Sequence, residues 1–373
     1  MKLFSFPYLI QKEILDHLFI NQIFFLSLCS KNTKNFIKET QKYQLKIVER
    51  VTYCINGLMK IDVKMAHKSY GSSLMYLFKS PKDFQYMGNV SVQEVRVNEL
   101  AIPIDFLRYS TSDSDLDAEY SPDTVESIIE SIHNQLYDLF GNDTKSWMQS
   151  FVHAFAEEPV FLRNIQRVDV LQKSFDPTKL DEFLDRSTCL EHFSWSTTGQ
   201  QPIKLREDSK LYDLDIIYVS SIGFFDCPMA KDVLKRFNGR HAFLHSGNIT
   251  TTDVIQFLNE WKLMKKFKNL ELISVEWTLW RFNLQEIRNS VDIKEVDREV
   301  KYSFITKFEE KVRRFPHLES GEFKSRLYMV RESDGHVASV LLTEELIMMG
   351  VWNMTEKEFL IKFNQPIEDV MFS

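Results

Sequence analysis

Three aspartates in this sequence have a spacing that could bind calcium. Asp113, Asp115 and Asp117 follow the alternation of the first ligands in a calcium-binding loop. Ala118 stands where such a loop needs its turn glycine, and Thr124 stands where it needs a bidentate glutamate. A solvated acidic loop over residues 110–123 is therefore the better interpretation.

Two histidines could bind a transition metal. His241 and His245 lie four residues apart in the strand-like segment HAFLH, which places both on one face of a strand. A metal site needs further ligands that this spacing does not supply. We therefore interpret them as an exposed pair on a strand, and expect neither a metal nor a cofactor.

Motifs of catalysis are missing from the sequence. It contains no GxGxxG, P-loop, GxSxG or HExxH pattern, and its nine histidines are scattered. Pairs of acidic residues are frequent, but 53 acidic residues make chance adjacency certain. We nominate no catalytic residue and expect a protein that is not an enzyme. An active site assembled from dispersed residues is the alternative.

The first 45 residues carry the clearest structural pattern. Pro7 suits a first helical turn, and apolar residues at helical spacing predict a helix over residues 8–18. Asn21 is a candidate N-cap for a second helix, and Ser30 or Asn32 could begin a third. Three such short helices cannot bury all their apolar surface among themselves, so part of it should face a partner.

This segment resembles an F-box. The residues that carry the resemblance are Phe6-Pro7, Ile14-Leu15, Leu18, Ile23, Phe25-Leu26, Cys29 and Ser30-Lys31. Tyr8 stands where an acidic residue is common, and no tryptophan follows Lys31. The alternative is an ordinary helical cap on a larger domain. The resemblance implies docking on a Skp-family adaptor, and through it a cullin, by Phe6, Pro7, Ile14, Leu15, Leu18, Ile23, Leu26, Cys29, Ser30 and Lys31.

Composition narrows the class of partner. The chain has 373 residues, 44% of them hydrophobic, enough for two or three domains. Its net charge of −7 and lack of a long basic run argue against nucleic acid as a partner. Its apolar runs are too short to span a membrane, and the N-terminus does not read as a signal peptide. Four widely spaced cysteines fit an intracellular, cytoplasmic or nuclear location.

Strand-like segments recur from residue 160 onward. They occupy 167–171, 192–196, 216–220, 241–245 and 272–276, and their centres are 25, 24, 26 and 29 residues apart, with helical patterns at 177–184, 230–237 and 252–264 between them. This spacing predicts a degenerate leucine-rich-repeat-like solenoid of parallel strands, in which Trp195, Ser196, Tyr218 and His245 indicate one exposed sheet face. A doubly wound α/β sheet is the alternative.

The C-terminal region adds a second resemblance. Residues 326–342 read as two strands joined by Ser333-Asp334-Gly335, with Trp352 shortly beyond. Together with the N-terminal segment, this looks like the nematode F-box proteins that carry a type 2 F-box-associated domain. We therefore expect an α+β or α/β protein with an F-box at 1–45, a mixed β/α region at 46–160 and a repeat-like F-box-associated domain at 161–373.

The resemblance implies a role as the substrate receptor of a ubiquitin ligase. The F-box would bind the adaptor and the C-terminal domain a target protein whose identity the sequence does not reveal. A protein-interaction scaffold that never engages a ligase is the alternative.

Overall fold

The structure is a computed structural model with two compact units. It describes residues 3–56, 58–66, 72–78, 91–97, 100–106, 117–119, 125–141, 144, 146–152, 160–172, 176–197, 205–221, 227–263, 266–276, 281–304 and 321–364. Unit 1 comprises Met1–Leu171 and Asp185–Leu190, and unit 2 comprises Gln172–Leu184 and Glu191–Ser373. Most of the acidic loop at 110–123 lies outside the described residues. Among the helices of the described ranges, none has the length and apolar character needed to cross a membrane.

Unit 1 begins with four short helices, and a longer helix follows later in the chain. They are α1 (Tyr8–Asp16), α2 (Ile20–Leu28), α3 (Lys31–Thr40), α4 (Lys42–Lys46) and α5 (Val125–Phe140). Ser30 is the N-cap of α3, as the sequence predicts, because its side chain accepts a hydrogen bond from the Thr33 amide. α1 ends two residues earlier than predicted.

The prediction of Asn21 as the N-cap of α2 is wrong. Phe19 is the N-cap, and its amide donates to Oε1 of Gln22 at 3.0 Å. Asn21 lies inside the first turn and is buried. The helix starts earlier because Ile20 is itself part of the core, and the Gln22 side chain accepts from the otherwise unpaired amide that precedes the helix.

A mixed sheet forms the rest of unit 1. Its strands are β1 (Val48–Asn56), β2 (Leu58–Met65), β3 (Ser72–Phe78), β4 (Ser91–Val97), β5 (Leu100–Phe106), β6 (Asp117–Glu119), β7 (Ser146–Val152) and β8 (Arg167–Gln172). Their spatial order is β8-β7-β1-β2-β3-β6-β5-β4, with β1 parallel to β7 and antiparallel to β2. β4 and β5 form an antiparallel pair, which continues the sheet beyond β6.

Unit 2 contains a parallel sheet built from alternating strands and helices. The elements are α6 (Pro177–Arg186), β9 (His192–Thr197), β10 (Ile216–Ser221), α7 (Pro228–Arg236), β11 (His241–His245), α8 (Thr251–Lys262) and β12 (Leu272–Glu276). The last two residues of α6 belong to unit 1. β9 to β12 lie side by side in chain order and all run parallel. The predicted positions of these four strands are confirmed. Their order has no reversal, whereas a doubly wound sheet has one at its switch point.

The prediction of an exposed sheet face is wrong over most of these strands. Trp195, Ser196 and Tyr218 are each at most 2% exposed. Tyr218 packs in a cluster with Tyr302 and Phe323, which cover the sheet from a later part of the chain. The polar groups of the face bond to one another, because Oγ of Ser196 lies 2.9 Å from Oγ of Ser220. The alternation of residues along the strands cannot reveal that side chains from a later part of the chain pack on this face of the sheet.

Antiparallel strands complete unit 2. They follow α9 (Leu284–Ser290) and are β13 (Lys294–Ser303), β14 (Glu322–Val330), β15 (His336–Leu342) and β16 (Leu346–Thr355), with α10 (Glu356–Asn364) last. β16 pairs antiparallel with β12 and extends the parallel sheet. The predicted hairpin is confirmed as β14 and β15, and Gly335 in its turn has a φ of 72°, which glycine adopts without strain.

The turn of this hairpin is held by a buried arginine. Nε of Arg331 donates to Oδ1 of Asp334 at 2.9 Å, Nη2 donates to Oδ2 at 2.7 Å, and the guanidinium lies 5.4 Å from the Trp261 ring. This pairing holds the pKa of Asp334 well below its usual range. Arg331, Asp334 and Gly335 thus form the turn, which gives the Arg-x-x-Asp-Gly sequence a structural role.

Candidate functional site

Large apolar side chains are exposed where the helical segment begins. Leu9 is 75% exposed, Tyr8 58%, Phe4 52%, Ile10 48% and Phe6 38%, all within residues 4–10. Exposed single apolar residues are ordinary on a protein surface, whereas five of them within seven residues form an apolar patch of the kind that interaction sites present. We call residues 4–10 the N-terminal apolar segment.

Aromatic and hydrogen-bond contacts fix this segment against the helices behind it. Phe36 of α3 meets the ring of Phe4 edge to face at 5.6 Å and that of Tyr8 at 6.1 Å. Nε2 of the buried Gln11 donates to the carbonyl oxygen of Phe6 at 2.5 Å. The segment is therefore pre-organised, so a partner that binds it has little chain entropy to remove.

The predicted adaptor-binding residues divide into three groups by exposure. Leu15 and Ile23 are fully buried, so as packed here they hold the helices together. The half-buried residues are Ile14, Leu18 and Leu26, and the exposed ones are Phe6, Pro7, Cys29, Ser30 and Lys31. Contact of these ten residues with an adaptor stays a prediction.

Sequence reasoning missed the most exposed members of the segment. The candidate residues did not include the four most exposed ones, which are Leu9, Tyr8, Phe4 and Ile10. A signal was available, because in a helix of 3.6 residues per turn Leu9 lies well round the axis from Leu15. An apolar residue off the buried stripe of a short surface helix is a candidate for binding.

An ion-pair clamp joins the helical segment to the rest of unit 1. Oδ2 of Asp138 on α5 lies 2.5 Å from Nζ of Lys34, and its Oδ1 lies 2.8 Å from Nζ of Lys38 on the same helix, α3. Burial raises the pKa of Asp138, but the hydrogen bonds from the two lysines outweigh it and leave that pKa below its ordinary value. The clamp keeps α3 attached to α5 while the carboxylate is ionised.

The two candidate metal-binding histidines each lie beside a glutamate. Nε2 of His241 is 3.1 Å from Oε2 of Glu271, and Nε2 of His245 is 3.9 Å from Oε2 of Glu276. Both histidines are partly buried, not an exposed pair as interpreted from the sequence. Across the described ranges, no three His, Cys, Asp or Glu side chains come together in a way that could hold a metal ion. Of the three candidate calcium ligands, Asp117 begins β6, and the other two lie outside the described residues.

Comparison with known proteins identifies the helical segment. Residues 3–45 match the F-box domain family, which confirms the first resemblance. F-box domains generally bind adaptors of the Skp1 type, and the proteins that carry them generally act as non-catalytic receptors for substrates of ubiquitin ligases. No curated protein and no solved structure matches the chain.

Proposed function

We propose that this protein is a substrate receptor of a Skp–cullin–F-box type ubiquitin ligase. The F-box at residues 3–45 binds the adaptor, the adaptor links the protein to a cullin, and a surface outside the F-box binds the target protein. The receptor needs no catalytic group of its own, because it raises the effective concentration of a target lysine near the ubiquitin-loaded enzyme. The protein then works inside the cell, in the cytoplasm, the nucleus or both.

The N-terminal apolar segment is the observation that carries this proposal. It lies within the part of the chain that matches the F-box family, and it presents apolar surface that no described residue covers. Covering exposed apolar surface is the main favourable contribution to protein association. The ion-pair clamp supports the proposal further, because it fixes α3, the third helix of the F-box segment, to the rest of unit 1.

We also propose that residues 161–373 form a repeat-like F-box-associated domain of the second type. Two features favour a repeat. Asn238 and Asn269 occupy equivalent positions ahead of successive strands, and Nδ2 of Asn269 donates to the carbonyl oxygen of Asn238 at 3.0 Å. One step earlier, Nδ2 of Asn238 donates to Oδ1 of Asp213 at 3.0 Å. The β14–β15 hairpin at its predicted place favours the resemblance to the associated domain.

Binding of the full chain to a purified Skp1-type adaptor tests the proposal. Leu9→Asp places a charge in the N-terminal apolar segment without touching the core. We expect it to weaken adaptor binding by roughly tenfold or more, the effect of keeping one leucine side chain in water. Leu263→Asp is the matched control, since it changes an exposed leucine of unit 2 and should bind as the unmodified chain does.

Both variants are first checked for an unchanged thermal transition. If the folded, unmodified chain does not bind the adaptor, the receptor role is wrong and the scaffold alternative replaces it. If Leu9→Asp binds as tightly as Leu263→Asp, the adaptor contacts another surface and the role assigned to residues 4–10 is wrong.

A further inference from the structure

A small open cavity of unit 1 has a cationic lining. Its volume is about 230 Å³, and residues 161–165 and 186–189 form its walls. The charged side chains of these walls are both arginines, Arg163 and Arg186, in a chain whose net charge is −7. We call this cavity the arginine pocket.

Arg186 is held in place by an aromatic ring. Its guanidinium carbon lies 4.4 Å from the centroid of the Phe161 ring. Stacking on a ring covers one face of the guanidinium, while its N–H groups point outward in the plane, where an acceptor can reach them. Among the described residues, no carboxylate forms an ion pair with Arg186.

Arg163 supplies a second cation, which is only loosely held by its carboxylate neighbour. Its Nε lies 3.9 Å from Oε1 of Glu130, at the outer limit of an ion pair, and the Arg163 side chain is 77% exposed. Exposed ion pairs contribute little to stability, so Arg163 can exchange this contact for a bound anion at small cost. Asp185 precedes Arg186 in the sequence but does not line the cavity.

Polar groups and size define what the pocket can accept. The wall at 187–189 contributes the hydroxyl groups of Ser187 and Thr188 and the thiol of Cys189. The volume is below the range of about 300–1,000 Å³ that is typical of sites for cofactors and drug-sized ligands. A single small group such as a phosphate or a carboxylate fits, and both match the donor geometry of a guanidinium.

We propose that the arginine pocket binds one small anionic group, a phosphate or a carboxylate, through Arg163 and Arg186. This site is separate from the proposed adaptor-binding surface, because none of the predicted adaptor-binding residues lines the pocket. The anionic group can belong to a free small molecule or to a side chain of a protein ligand, since either presents the same oxygens to the two guanidinium groups.

The thiol of Cys189 is a built-in reporter for this pocket. It is exposed and lines the cavity, so an anion bound there should shield it from alkylation. The full chain is treated with iodoacetamide, a neutral reagent, and the rate at each cysteine is read by peptide mass spectrometry. Cys29, which is also exposed, is the internal control.

The probes are inorganic phosphate, O-phosphoserine and N-acetylglutamate, each against sodium chloride of equal ionic strength. At about 20 mM probe, well above a millimolar dissociation constant, we expect alkylation of Cys189 to slow by roughly threefold or more, with Cys29 unchanged. Protection by the two phosphates alone assigns the pocket to phosphate, and protection by N-acetylglutamate alone assigns it to carboxylate.

Matched variants decide whether the arginines are responsible. Arg163→Gln/Arg186→Gln should abolish the protection, whereas Arg288→Gln, at an exposed position of α9, should retain it. The thermal transition of each variant is compared with that of the unmodified chain. The proposal is overturned if no probe protects Cys189 in the unmodified chain, or if protection persists in the folded double variant. Neither result depends on adaptor binding.

Discussion

Glu276 and His245 lie side by side at the carboxyl ends of β12 and β11. Burial, and then repulsion from Glu345, raise the pKa of Glu276 to about 7. Burial lowers the pKa of His245. Near neutral pH, the low polarity of this edge therefore favours the uncharged form of both side chains.

Glu276→Gln should stabilise the protein at alkaline pH. Because the pKa is raised from 4.5 in the folded state, the protonated carboxyl favours folding below pH 4.5, and this contribution is lost as the pH rises through about 7. At about pH 8 we expect the variant to gain roughly 2 kcal/mol in the free energy of unfolding, and near pH 4.5 almost nothing. Denaturant unfolding at both pH values measures the difference. The same gain at both would contradict the assignment. Glu295→Gln, at an exposed position of β13, is the control.

His133 is a buried titratable group in unit 1. Its Nδ1 lies 2.7 Å from the hydroxyl of Tyr53, and its ring meets that of Trp147 edge to face at 5.3 Å. Burial lowers the pKa of His133 to about 4. The imidazole of His133 therefore stays neutral down to a lower pH in the folded state than in the unfolded chain.

Unit 1 should lose stability in mild acid because of His133. The lowered pKa means that the unfolded chain binds the proton first, so stability falls as the pH drops from about 6.5 towards 4, by roughly 3 kcal/mol in all. His133→Asn should flatten this part of the pH profile, whereas His17→Asn, at an exposed site, should not. Urea unfolding followed by intrinsic fluorescence tests this. An unchanged slope in His133→Asn would count against a neutral buried histidine.

At the scale of elements, the ion-pair clamp between α3 and α5 should set how readily α3 opens. Asp138→Asn removes the charge that Lys34 and Lys38 share. Because Asp138 is 43% exposed, we expect a modest loss, seen as roughly threefold faster hydrogen–deuterium exchange in α3. Asp292→Asn removes an exposed partner of Lys262 in unit 2 and should leave exchange in α3 unchanged. Equal exchange in both variants would show that the clamp does not stabilise α3.

The local sequence pattern predicts the positions of the strands of unit 2 well, but it does not predict at which residue a helix begins. The strands β9 to β12 were predicted at their observed places, because each is a short run of β-branched and aromatic residues between breaks. The start of α8 is an example, because Thr250, Thr251, Thr252 and Asp253 are all residue types that favour an N-cap. Thr250 is the N-cap, and Asp253 completes a capping box with it. Several cap-forming residues stand in a row here, and only the tertiary position of the helix selects among them.

At the scale of the whole molecule, two compact units should unfold separately. We expect two transitions in calorimetry, since chains with more than one core depart from two-state unfolding. Phe151→Ala in unit 1 and Phe243→Ala in unit 2 each remove a fully buried ring, which costs about 3–5 kcal/mol. Each variant should lower one transition by roughly 10 °C and leave the other in place. A single transition lowered by both variants would show one cooperative structure.

The division of the chain at 45 and 160 stays a prediction. The described residues form two compact units, and unit 1 includes residues 185–190 from within the part of the chain that otherwise belongs to unit 2. The sequence does not predict this grouping, because residues 172–184 and 185–190 are adjacent in the chain and yet belong to different units.

The sequence by itself determined the F-box, the β/α alternation of unit 2 and the hairpin at Gly335. Each depends on interactions between residues close in sequence, which leave periodic or local patterns. Only the tertiary structure decided which faces are exposed. It buried Tyr218 in a cluster with Tyr302 and Phe323, buried Trp195, exposed Leu9 and placed Arg163 and Arg186 in the lining of one pocket. Such contacts join residues distant in the chain, and burial depends on what the rest of the molecule places over a surface.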